Sequence, residues 1–278
     1  MTEDEDEDEQ SDEWVPEHGA DPDGWHAAGT DRLHLRSLSL GLVAMVPLLL
    51  AYEFAAGDQR NTAEVVLFHP GALAGLSPEQ MRRGVMALAV AWAGALCFTR
   101  RIALGPGVLR IAVEGLGAAI VLGPALVVAM SWLGAEGVLA PRGLQPSTIP
   151  PLTSAALVFG GAAYEELLLR VGGFGLLFMV ARRVTLFWGL APRAARWVGE
   201  TAGVMGTAVA FASFHLAAFT AWLGPGGEVF DGAVFTWRVL AGILLAILFR
   251  WRGPGMAAWA HGLFNLALLI GAGPEVLP

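Results

Sequence analysis

The chain has 278 residues, of which 55% are hydrophobic and only 15% charged, with 36 glycines and one cysteine. The lone Cys97 excludes an intramolecular disulfide framework and a multi-cysteine zinc site, and an acidic, aliphatic composition excludes a nucleic-acid partner. The net charge of −8 misdescribes the body of the protein: 13 of the 25 acids lie in the first 31 residues, whereas 17 Arg face 12 acids from Arg32 onward.

Residues 1–36 open with MTEDEDEDEQSDE. Such a run of like charge buries too little apolar surface to fold and is expected to be a disordered acidic tail. It also lacks the basic start and early apolar core of a secretory signal. Residues 37–151 and 152–271 then supply seven apolar segments, each approaching the roughly 20 residues that a membrane-crossing helix needs. In order they are Ser37–Ala56, Gly84–Thr99, Ile111–Ala135, Leu152–Ala181, Thr201–Gly224, Ala233–Phe249 and Gly253–Gly271. The fourth is long enough to be one bent helix or a helix plus a re-entrant piece. The expected fold is therefore an all-α polytopic membrane bundle of seven or eight helices. The stretch Gly57–Arg83, with its prolines and glycines, is expected to hold only short helical turns. Arginines divide 11 to four between alternate connecting segments, which puts the N-terminus in the cytoplasm and leaves Arg170 and Arg238 inside spans. Arg82 and Arg83 beside the second span, together with Glu114 and Arg238, are read as interfacial groups whose long stems snorkel. Trp132, Trp188, Trp197, Trp222 and Trp251 fall near span ends and read as interface anchors.

Ionisable groups within a bilayer are functional candidates by default. The fourth span holds Glu165, Glu166 and Arg170 in GGAAYEELLLR. Glu166 and Arg170 are four apart, with Glu first, the better order for a helical ion pair. Glu165 points about 100° away round the helix, which leaves it for chemistry while the pair serves structure. The fifth span presents His215, with Phe211 one turn before it. The seventh presents His261 and Asn265, also four apart and able to face one spot. Each group taken alone also fits a structural role: a buried network for the three charges, a packed imidazole for His215, a helix–helix hydrogen bond for His261 and Asn265. Small residues, Gly160–Ala163 in one span and Ala257, Ala258, Ala260 and Gly262 in another, would let the helices carrying these groups approach closely. Gly199–Gly203 is a GxxxG pair that suits either a dimer or packing inside the bundle.

Taken jointly, an acid, two imidazoles and an amide are the parts of a water-activating, oxyanion-binding site. In order along the chain they stand as Glu165-Glu166-Leu167-Leu168-Leu169-Arg170, Phe211-Ala212-Ser213-Phe214-His215 and His261-Gly262-Leu263-Phe264-Asn265. These match EExxxR, FxxxH and HxxxN, and over Leu152–Ile270 the chain resembles the CPBP intramembrane proteases, a family that includes CAAX prenyl proteases, abortive-infection and bacteriocin-immunity proteins. The resemblance implies an endopeptidase of a bacterial inner membrane, acting on membrane-associated or C-terminally processed peptides. Glu165 would activate water, His215 would hold it, and His261 with Asn265 would receive the oxyanion, while Glu166, Arg170 and Phe211 support them. Glu165, His215 and His261 also make up a three-ligand zinc set with water in the fourth place. The metal-free reading is preferred, because a liganding Glu165 could not serve freely as the base. HExxH and GxSxG are both absent from the sequence, against a zincin and a serine nucleophile. Membrane lipids and a membrane-associated peptide are the expected partners; oligomeric state is not legible. Two other functions remain open at this point: a non-catalytic scaffold or immunity protein that keeps the fold, and a proton-coupled transporter using the same acids and imidazoles.

Overall fold

The computed structural model describes residues 28–56, 61–100, 104–136, 151–220 and 227–271. Among them the chain is helical almost throughout, short turns aside, and its β-type pairing is an isolated parallel bridge between Leu216 and Glu228. The helices are α1 (Ala28–Ala56), α2 (Thr62–Leu73), α3 (Pro78–Arg100) and α4 (Leu104–Leu133). A continuous run follows, made of α5 (Pro151–Glu166), a π-helical segment (Leu167–Phe174) and α6 (Gly175–Phe187). The remainder are α7 (Pro192–Ser213), the single turn α8 (Ala217–Thr220), α9 (Gly232–Arg252) and α10 (Pro254–Gly271).

Four helices are long and apolar enough to cross a membrane. They are Leu38–Ala55, Pro78–Thr99, Leu104–Leu133 and Gly232–Arg252, with mean hydropathies of 1.9, 1.3, 2.1 and 2.0. The outer face of α4 exposes Leu109, Val113, Ile120, Val121 and Val128, an apolar surface of the kind that lipid covers. The protein is thus a helical membrane protein. The seven or eight spans expected from the sequence reduce to four on this measure among the described residues: the α5–α6 run is divided by its π segment, α7 carries Arg193, Arg196 and Glu200 near its start, and α10 carries His261 and Asn265.

Several boundaries move. The acidic tail up to residue 27 lies outside the described residues, but Ala28–Arg36, expected to be disordered, already belongs to α1. The Gly57–Arg83 stretch holds a 12-residue helix rather than isolated turns. Asn61 caps that helix by accepting from the Ala63 N–H at 2.7 Å, which satisfies one of the donors a helix start leaves open. The fourth segment runs as α5, eight π-helical residues with Gly172 and Gly173 among them, and α6, with no loop between them. π-Helical turns are rare and recur at functional sites, and this one begins directly after Glu166. The expected span Thr201–Gly224 also shifts, since its helix starts earlier, at Pro192, and ends at Ser213.

The centre of the bundle is where α1, α5 and α10 meet, with α4 against α10 and α7 against both α6 and α9. Tyr52 of α1 and Phe68 of α2 pack edge-on to Tyr164 of α5, with ring centroids 5.3 and 5.7 Å away. Glycines set the spacing. A Cβ at Gly160 would fall 2.0 Å from the Tyr52 Cβ, and one at Gly262 would fall 2.5 Å from the Phe159 ring. Gly160→Ala is therefore expected to push α1 and α5 apart and destabilise the fold by about 1–3 kcal/mol, the usual penalty of overpacking. A thermal melt in detergent checks it, and an unchanged midpoint would refute the close approach. The GxxxG pair is consumed internally: Phe178 sits over Gly199 and Phe174 over Gly203.

Ion pairs fasten the helix ends. Arg250 forks onto Glu200, both bonds 2.6 Å long, and joins α9 to α7. Arg252 bonds Glu114 through Nε at 2.9 Å and again through Nη2, joining α9 to α4, and Arg110 shares that carboxylate. Glu114 is thus a tertiary tie, not a snorkelling group. Gly253 adopts φ +89° between α9 and α10, and its N–H caps the Phe249 carbonyl at 2.8 Å. This left-handed turn favours glycine, and Pro254 then opens α10. Trp132, Trp188, Trp197 and Trp251 all stand exposed on the outside; Trp222 lies outside the described residues.

Candidate active site

One internal cavity of about 520 Å³ opens between α4, α5, α9 and α10, and Glu165, His215, His261 and Asn265 all line it. They arrive from three separate stretches of chain. Glu165 and Glu166 end α5, His215 follows α7, and His261 and Asn265 lie on α10. Glu166 and Arg170 do not line the cavity; they stand behind it, both at 0% exposure.

The two glutamates divide their partners as the helix geometry predicts. Glu166 Oε2 lies 3.2 Å from Arg170 Nε, an ion pair across the junction of α5 and the π segment. Its other oxygen, Oε1, is 3.0 Å from His261 Nδ1. Arg170 Nη2 donates to the Gly242 carbonyl of α9 at 3.0 Å, and the guanidinium stands over the Phe211 ring at 6.0 Å. Glu165 faces the other way, with Oε2 3.6 Å from His261 Nε2. A carboxylate only accepts, so His261 Nδ1 carries a proton toward Glu166. Nε2 is then the nitrogen that faces Glu165. One imidazole therefore bridges both carboxylates.

His215 is not inside a helix, contrary to the sequence expectation. α7 stops at Ser213, and His215 occupies the turn beyond it. Its Nδ1 lies 2.9 Å from the Phe211 carbonyl, one of the acceptors that a helix end leaves unsatisfied. A carbonyl only accepts, so Nδ1 is the protonated nitrogen and Nε2 holds the lone pair in the neutral ring. Phe211 packs edge-on to both imidazoles, 5.1 Å from His215 and 5.5 Å from His261.

The turn carrying His215 is clamped by a residue that motif reading passed over. The Glu228 N–H donates to the His215 carbonyl at 2.8 Å, and the Glu228 carbonyl accepts from Ala217 at 2.9 Å. Gly227 precedes it at φ +91°, where a Cβ would strike the Ala217 backbone at 2.6 Å. The Glu228 carboxylate takes both terminal nitrogens of Arg238, at 2.7 and 2.9 Å. Arg238 is 3% exposed and lines the cavity. It is a buried anchor of the His215 turn and not an interfacial snorkel, because Glu228 folds back to neutralise it.

No family model, no curated protein and no solved structure matches the chain.

The likeness drawn in the sequence therefore rests on the three motifs. Asn61, at the N-terminus of α2, also lines the cavity and donates through Nδ2 to Glu165 Oε1 at 3.0 Å. It lies outside all three motifs. Its signal was nonetheless present: Asn61-Thr62-Ala63-Glu64 has the N-cap spacing of a helix start, with a glutamate three residues on. Here Glu64 does not return to the cap but turns inward to Tyr52 and Arg82. Arg82, expected at the interface, is 7% exposed and bridges Glu53 at 2.7 Å and Glu64 at 3.0 Å.

Among the described residues no three His, Cys, Asp or Glu side chains stand close enough together to hold a metal ion. Both Nδ1 atoms are engaged, with Glu166 and with the Phe211 carbonyl, and Phe211 packs against both rings.

Proposed function

We propose that the protein is an intramembrane endopeptidase of the CPBP type, hydrolysing peptide bonds of membrane-associated substrates. One observation carries the reading: Glu165, His215, His261 and Asn265, brought together from α5, the turn after α7 and α10, line a single cavity whose other walls are largely apolar. Its polar groups suffice for water activation and its apolar walls suit a lipid-embedded substrate. Glu165 takes a proton from water, and the water oxygen bonds to the scissile carbonyl carbon. Asn265 and the protonated Nε2 of His261 receive the negative charge that develops on the carbonyl oxygen. As the C–N bond breaks, Glu165 returns the proton to the departing amine. His215 Nε2, with its lone pair set by the Phe211 carbonyl, accepts a hydrogen bond from the water and orients it. No step requires a metal.

On the same reading α1, α3, α4, the α5–α6 run, α7, α9 and α10 are seven spans of a bacterial inner-membrane protein with a cytoplasmic N-terminus. The decisive experiment is cleavage of membrane-tethered peptides by the full chain in liposomes, with Asn265→Ala alongside. The expected result is cleavage that withstands chelators, with kcat lowered about 10²–10³-fold in Asn265→Ala, the usual loss for one oxyanion donor. Loss of cleavage on chelation, restored by zinc, would replace the metal-free mechanism. An inert wild type that conducts protons would replace the protease with a transporter, and one that does neither would leave a scaffold.

A further inference from the structure

The residues of α1, α2 and α3 lie outside all three motifs, yet they end on Glu165. Arg82 of α3 donates to Glu64 Oε1 at 3.0 Å, and Tyr52 of α1 donates to Glu64 Oε2 at 2.7 Å. The Asn61 N–H in turn donates to the Tyr52 hydroxyl at 2.9 Å. Asn61 is thereby held at three points: its N–H on Tyr52, its Oδ1 on the Ala63 N–H at 2.7 Å, and its Nδ2 on Glu165 Oε1 at 3.0 Å. The cap settles which way the amide faces. Ala63 N–H is a donor, so the atom against it is the oxygen, and the NH₂ must point to Glu165. Gly161 keeps the space open, since a Cβ there would lie 3.0 Å from Nδ2.

We propose that Asn61, braced by the buried Tyr52–Glu64–Arg82 network, is a positioning residue that holds the Glu165 carboxylate toward the cavity for its work as base. This rests on the protease reading of the same site. The remaining charged and titratable groups around Glu165 are His261 from α10, Glu166 and Arg170 on its own helical run, and His215 and Arg238 across the cavity. A donor on one carboxylate oxygen fixes its direction. Losing it lets the carboxylate turn away from the water it must meet, without touching substrate.

The test uses Asn61→Ser and Asn61→Asp in the full chain. Both residues keep a good N-cap, so the melting midpoint should stay near wild type. In liposomes Asn61→Ser is expected to lower kcat about 10-fold with KM within twofold. Asn61→Asp, which sets a carboxylate against Glu165, should lower kcat further, again with KM held. The Glu165 carboxylate stretching band, taken as the infrared difference from Glu165→Gln, should shift in both variants without any reference to cleavage. Unchanged kcat and carboxylate band in both variants of a cleaving protein would overturn the role of Asn61 alone. A wild type that cleaves no peptide, while the Asn61 variants still shift the Glu165 carboxylate band, would overturn the protease reading. Asn61 would then be a partner of Glu165 in some other chemistry, and the positioning role proposed here would fall with the base.

Discussion

Glu165→Gln should fold as the wild type does and lose cleavage by about 10²–10⁴-fold, the range a positioned general base contributes. The substitution keeps the shape of the side chain, and its amide oxygen can still accept from Asn61 Nδ2, which lies 3.0 Å from Oε1 in the parent. It removes only the negative charge and the ability to take a proton. A near-normal melting midpoint beside a collapsed rate would separate chemistry from folding. His261 supplies a second readout. Its Nε2 faces Glu165 at 3.6 Å while its Nδ1 stays on Glu166 at 3.0 Å, so the variant still holds the ring while Nε2 loses the carboxylate it faced. Cleavage by Glu165→Gln at the wild-type rate, measured on the same membrane-tethered peptides, would remove Glu165 from the mechanism.

Arg170→Met should be the most damaging single change to stability. It strands the Glu166 carboxylate, fully buried, without its cation, and opening one side of such a pair typically costs about 3–5 kcal/mol. The bond to the Gly242 carbonyl goes with it. The expected outcome is a sharply lower yield of folded protein and a depressed melting midpoint. Glu166→Gln in the same chain removes the stranded charge and should recover most of that loss, because a buried pair replaced on both sides is often close to neutral. Cleavage should not recover with it. The amide introduced at this position can turn its NH₂ toward His261 Nδ1, so the ring is no longer held in the orientation that aims Nε2 into the cavity. Recovery of stability and rate together would make Glu166 only the counter-ion of Arg170. Failure of the double variant to regain stability would show that the charge itself holds α5, the π segment and α9 together.

These two expectations draw on different levels of information. The separation of partners between Glu165 and Glu166 was legible from helix geometry alone, since adjacent residues diverge by about 100° and residues four apart align. The apolar runs located the helices, and the small residues at Gly160 and Gly262 marked where helices touch, as the Tyr52 and Phe159 contacts bear out. Arg82, Arg238 and Glu114 were misread for one shared reason. Position near a span end suggests an interfacial charge, but burial depends on whether an opposite charge from elsewhere reaches it, and Glu53, Glu64, Glu228 and Arg252 do so only in the folded bundle. His215 was placed in a helix because the surrounding residues are apolar. The clamp by Glu228 that ends α7 comes from beyond the next turn and leaves no local trace.

The sequence by itself determined a helical membrane chain and the identity of the groups able to do chemistry in it, because hydropathy and residues four apart are local properties. Only the tertiary structure decided that four of those groups share one cavity, and that Asn61 and Arg238 complete its surroundings. Those relations join residues such as Asn61 and Glu165, 104 positions apart, and they follow from how closely packed helices neutralise buried charge, which no local pattern encodes.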